Sequence, residues 1–234
     1  MAQTKAKPVT RAGRARLHEA LARYGMLPIQ GQHDIPSIAD LLEGAPIRTR
    51  GFSWDYVPAW DMSEALAADD DKVLLKLFRG GNTLVTSRRW PAVQVLAKEN
   101  VRRVSAGGGG QKWQDFLGVV SENPGISGAS VKIALGLDGD VGRRAFQRSK
   151  TLLERLCVVW GEEQTEAESH THDLLWYPWD YGKVSKAIAE RADLPSLADA
   201  ERELVSSVVP ASQLSARQRR SLFPVLKFVS QAGN

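Results

Sequence analysis

The chain has 234 residues, 43% of them hydrophobic and 25% charged, with a formal net charge of +4 and a sequence pI of about 9.3. That length suffices for one large domain or two small ones with a true core. The single cysteine, Cys157, excludes a disulfide framework and a multi-cysteine zinc site.

Residues 1–9 are expected to form a disordered basic arm. Lys5, Lys7, Arg11, Arg14, Arg16 and Arg23 face only Glu19 in the first 23 positions, so any nucleic-acid surface is local rather than spread over the chain. The basic opening is not followed by an apolar h-region, and no apolar run approaches the roughly 18–20 residues that span a bilayer. A soluble, cytoplasmic protein without a membrane partner is expected.

Thr10 to Tyr24 has helical spacing, with Leu17, Ala20, Leu21 and Tyr24 on one stripe and Gly25 placed to end it. A short helix is expected near 36–43, and another over MSEALAADD after the irregular stretch APIRTRGFSWDYVPAWD. KVLLKLF, RGGN and TLVTS then read as strand, turn and strand. Ser87 is a good N-cap for a helix of about 88–99. Four consecutive glycines in SAGGGGQ, residues 105–111, are read as a flexible link between residues 10–104 and a second module, 112–181.

The second module carries three helical patterns, KWQDFLGVVSE, SGASVKIALGL and DVGRRAFQRSKTLLERL, with Ser127 as an N-cap for the middle one. LCVVWG and THDLLWYPW follow as two strands. Three helices and a β-hairpin, with a tight turn before the third helix, are the order of a winged helix-turn-helix. On a 3.6-residue wheel Val141, Ala145, Ser149, Leu152 and Leu156 share the expected apolar face. The opposite arc holds Arg143, Arg144, Gln147, Lys150, Thr151 and Glu154, with Arg148 and Arg155 at its edge. Its arginines and Gln147 suit phosphates and base edges in a major groove. A charge-rich helix face is also what a merely solvated helix presents, and the wing EEQTEAESH is acidic, which does not suit phosphate tracking. Residues 182–234 form a helical tail in this reading, split near Pro195 and Pro210.

The expected fold is therefore mainly α with small β-hairpins (α+β), in tandem winged-helix-like modules plus a C-terminal helical tail. Double-stranded DNA is the expected partner, which would make the protein nucleoid-associated. No motif calls for a cofactor: GGGG lacks the Lys-Ser/Thr ending of a phosphate loop. His170 and His172 share a strand face but find no third metal ligand at convincing spacing. Of the seven tryptophans, Trp54 and Trp60 on the irregular loop are the better candidates for stacking on a base.

Three stretches carry a resemblance: GMLPIQGQHDIPSIADLLEG; FSWDYVPAWDMSEAL with KVLLKLFRGGNTLVTSRRWP; and NPGISGASVKIALGL with GRRAFQRSKTLLERLCVV. Together they cover most of residues 15–181. The chain resembles the AlkZ-like (YcaQ-like) winged-helix DNA glycosylases, most closely their short AlkZ-related branch. The resemblance implies hydrolysis of the N-glycosidic bond of alkylated or crosslinked bases, and it places Gln30 and Gln32 on the family's Gln-x-Gln pair. In that role Gln30 and Gln32 would orient water through their side-chain carbonyls, and Asp34 would act as base or electrostatic stabiliser of an oxocarbenium-like sugar. The chain is shorter than the family's full-length enzymes. Taken without the resemblance, the same loop is a polar turn in which Asp34 caps the next helix. A non-catalytic winged-helix regulator and a protein-interaction scaffold are the competing readings.

Overall fold

Thr10 Oγ1 accepts the Gly13 N–H at 3.0 Å, and the Gly25 N–H closes on the Leu21 carbonyl at 2.8 Å, so α1 (Arg11–Tyr24) is capped at both ends. The computed structural model describes residues 10–30, 35–42, 57–137, 139–163, 174–189 and 191–229. The basic arm, Gln32, Asp34, Trp54, His170, His172 and most of the acidic wing lie outside them.

After α1 come β1 (Met26–Pro28), α2 (Ile38–Leu41), α3 (Val57–Ala67), β2 (Lys72–Leu75) and β3 (Thr83–Thr86). Ser37 opens α2 with a reciprocal capping box to Asp40. The strands form an antiparallel sheet in the order β1-β3-β2, with Leu27 opposite Leu84 and Leu74 opposite Leu84 on its other side. α4 (Trp90–Ser105) leads onward to α5 (Gln111–Glu122), β4 (Ile126–Ser127), α6 (Gly128–Ala134), α7 (Gly139–Arg155), β5 (Val159–Glu163) and β6 (Leu174–Pro178). The second sheet has the order β4-β6-β5, again antiparallel.

Each module thus runs helix, strand, helix, helix, strand, strand, with its last strand in the middle of the sheet. That is the winged helix-turn-helix arrangement, present twice. The molecule is mainly helical with two small antiparallel sheets, as the sequence predicts.

The glycine run departs from expectation. It is a hydrogen-bonded turn rather than an extended spacer: Gly108 N–H donates to the Arg103 carbonyl at 2.7 Å and Gly110 N–H to that of Gly107 at 3.0 Å. Gly109 has φ +98°, and a Cβ there would stand 1.8 Å from Cε3 of Trp113. The indole lies on bare backbone, with Lys227 Nζ 4.2 Å from its ring centroid. Gly109 leaves room for the Trp113 indole, and α4 packs against α5 directly.

The tail is likewise not a separate appendage. Helices α8 (Lys183–Ala187), α9 (Leu197–Ser206) and α10 (Ala216–Leu222) are too short to hold themselves helical in water. They are held by burial: Val184, Ala200, Leu204, Phe223 and Leu226 share a core with Met26, Val73, Phe78, Trp90 and Leu96 of the first module. Each such large apolar side chain contributes about 1.5–3 kcal/mol when fully buried. Phe223 meets Phe78 edge-on at 5.5 Å between centroids. Asn100 Nδ2, buried on α4, donates to the carbonyls of both Leu156 and Val225 at 2.8 Å. One amide therefore ties together the connecting helix, the end of α7 and the tail.

Candidate nucleic-acid interface

Helix α7 is held by its inner face. Phe146 stacks on Phe116 of α5 at 5.6 Å, and Phe116 meets Trp176 of β6 edge-on at 6.2 Å. The buried positions are Gly142, Phe146, Leu153 and Glu154. Of the expected apolar face Leu156 is fully buried and Leu152 packs against the core, Ala145 and Ser149 are half-buried, and Val141 alone is exposed. A Cβ on residue 142 would lie 2.3 Å from the Leu137 carbonyl carbon, so the turn before α7 presses backbone against backbone and only glycine fits. Val141, beside it, is left 74% exposed.

Arg143, Arg144, Gln147 and Arg148 all lie exposed on the outer face. Arg143 pairs with Asp140 at 2.9 Å, but both side chains stay more than two-thirds in water, so the pair constrains the guanidinium little. Thr151 and Lys150 are half-buried, and Lys150 Nζ stands 5.1 Å from the centroid of the buried Trp176 ring. Lys150 therefore spends part of its charge on an aromatic face inside its own module. Four of the six predicted α7 residues form one continuous polar surface; the other two sit at its margin.

The end of α7 docks on the first module. Lys76 Nζ lies 2.5 Å from Glu154 Oε2, and Arg155 Nε donates to the Gly80 carbonyl at 3.2 Å. Glu154 is 8% exposed. Beside this joint is a cleft of about 210 Å³ lined by Trp60, Glu64, Asn82, Glu154, Trp160 and Trp179 among others. Trp60 is half-buried there. Trp160 stacks on Tyr177 at 5.2 Å. Gln30 is exposed at the exit of β1, one residue after Ile29, whose N–H donates to the Asn82 carbonyl at 3.0 Å. Its neighbours Gln32 and Asp34, and the second stacking candidate Trp54, lie outside the described residues. Asn82 is not singled out in the sequence, and Trp160 stands there only among the seven tryptophans; Glu154, expected on the outer arc of α7, is instead buried at this joint, where it meets Lys76.

Cys157 is buried at the same joint, and burial pushes its thiol up to about 12, which makes it a packing group and not a nucleophile. Among the described residues no group of three or more His, Cys, Asp or Glu is placed to hold a metal ion, and no helix is long and apolar enough to cross a membrane. No family model matches this chain, and neither does any curated protein or solved structure.

Proposed function

We propose that the chain binds duplex DNA by laying the outer face of α7 in the major groove and that, like the AlkZ-like glycosylases it resembles, it hydrolyses the N-glycosidic bond of alkylated or crosslinked bases. The observation that carries the first half is the surface of Arg143, Arg144, Gln147 and Arg148 on the third helix of a winged helix-turn-helix. Guanidiniums neutralise phosphates or grip guanine edges, and Gln147 has the donor and acceptor that adenine requires. Lys150 and Thr151 would sit at the edge of that contact.

The second half rests on the resemblance. It is supported by the position of Gln30, exposed and one residue after Ile29, whose N–H donates to the carbonyl of Asn82 in the Trp60 cleft. Gln30, Gln32 and Asp34 are the groups assigned to water and sugar; Trp54 and Trp60 are those assigned to stacking.

Two measurements test the reading. In a fluorescence-anisotropy titration of a random-sequence duplex, affinity should fall with salt by roughly 0.9 log units per decade for each phosphate neutralised. On a duplex carrying an N-alkylated purine, wild type should release the free base, and Gln30→Ala, Gln32→Ala and Asp34→Ala should slow release by about 100-fold or more. Binding without excision would leave a non-catalytic regulator. No binding even at low salt would leave the scaffold reading and remove DNA altogether.

A further inference from the structure

A second cavity, of about 450 Å³, lies where α4, α5, β6 and α8 meet, apart from the outer face of α7. That volume is in the range of sites for small organic ligands. Its wall is apolar, with Val101, Leu117, Val158 and Trp179. Its polar groups have a definite polarity. Trp179 Nε1 donates to Gln94 Oε1 at 2.8 Å, and Gln94 Nε2 donates to Ser185 Oγ at 3.2 Å, with all three residues buried. The relay uses the Ser185 oxygen as acceptor and leaves its hydroxyl proton for an acceptor in the cavity, which Ser185 lines at 6% exposure. Two opposite charges, Lys98 and Asp180, stand at the rim. Among the described residues neither has a hydrogen-bond or ion-pair partner.

An internal donor and a rim ammonium ask for a carboxylate; a rim carboxylate asks for an ammonium; the wall asks for an apolar body. We propose that this cavity binds a free α-amino acid with an apolar side chain. Its carboxylate would take the Ser185 hydroxyl and Lys98, its amino group Asp180, and its side chain the wall of Val101, Leu117 and Trp179. Because the site is built from α4, α8 and elements of the second module, the ligand would cement those parts together. The proposal does not depend on DNA binding.

The structure also supplies a blocking variant. Gly118 lines the cavity on α5, and a Cβ there would meet nothing within 4 Å. Gly118→Leu therefore adds a side chain at the cavity wall with no clash at its Cβ, and its helix propensity is higher than that of glycine. The test is calorimetric titration of the full chain with L-leucine and L-phenylalanine, beside 4-methylpentanoate and phenethylamine, which each lack one charged end. The expected result is saturable binding of at least one amino acid, at least tenfold weaker binding of the single-charge analogues, and loss of binding in Gly118→Leu. Lys98→Glu, at an exposed position, should weaken the amino acid at least tenfold. Thermal unfolding of both unliganded variants should match wild type or exceed it. No binding of either amino acid at 10 mM overturns the proposal. So does equal binding of the single-charge analogues, or unchanged binding in a folded Gly118→Leu. None of these results bears on the α7 surface, so DNA binding stands or falls separately.

Discussion

The two winged helices share one topology and differ in what their third helices carry. α3 displays Asp61 and Glu64 and, between 57 and 67, no lysine or arginine, and Asp69, Asp70 and Asp71 follow it. α7 displays Arg143, Arg144 and Arg148, with Lys150 and Arg155 as further cations and only Asp140 and Glu154 as acids. The first module's inter-strand turn is gripped by the end of α7 through Lys76 and Gly80, whereas α7 keeps its outer face free. In the proposed reading the same frame serves once as a support and once as the presenting element, and charge rather than topology distinguishes the two.

The comparison breaks most directly by charge. Arg143→Glu, Arg144→Glu and Arg148→Glu together should lower duplex affinity by about 100-fold or more at low salt, while Asp61→Asn with Glu64→Gln on α3 should change it by less than about threefold. Comparable losses from both helices would show that the modules share the duplex equally. A smaller effect is expected at the joint. Glu154→Ala leaves Lys76 without its carboxylate and should cost about 2 kcal/mol in urea unfolding, below the range for a fully buried pair because Lys76 keeps a quarter of its side chain exposed. The transition should stay single, since the modules share a core through the tail. Two separated transitions would mean that they unfold independently. The smallest effect belongs to α4 between them. Arg102 and Arg103 hold the Glu99 carboxylate down at about 2, against an ordinary 4.5. Its contribution to stability is therefore complete above about pH 4.5 and lost as pH falls toward 2. Glu99→Gln should flatten the acid limb of the stability profile in that window and leave the difference between pH 6 and pH 8 unchanged.

Local rules made much of this frame legible. Thr10 and Gly25 bound α1, Ser127 opens α6 through its acceptance of the Ser130 N–H, and the strand–turn–strand of residues 72–86 falls where the β-branched and leucine runs put it. What escaped depends on contacts distant in sequence. The wheel for α7 misplaced Val141 because periodicity cannot register that Leu137 crowds residue 142. The glycine run looked like a spacer because nothing local says that Trp113 lies on Gly109. The docking of the tail was not legible because its partners lie far back in the chain, Ser185 on Gln94 and Val225 on Asn100. In the candidate site the outer arginines of α7 were legible as a charge pattern. The cleft was not, since Trp60 and Trp160 are brought together only by the docking of one module on the other.

The burial of Phe223, Val225 and Leu226 in the first module's core has a consequence for synthesis. A ribosome extrudes both sheets long before these residues leave the exit tunnel, so the first winged helix emerges with part of its core missing. Native packing there must wait until residues 223–226 have emerged, although domains usually fold as they appear. Until then Phe78 lacks its aromatic partner and Asn100 one of its two carbonyls. Nascent chains stalled before residue 222 should therefore be cut by protease within residues 70–100, and release of the full chain should restore protection.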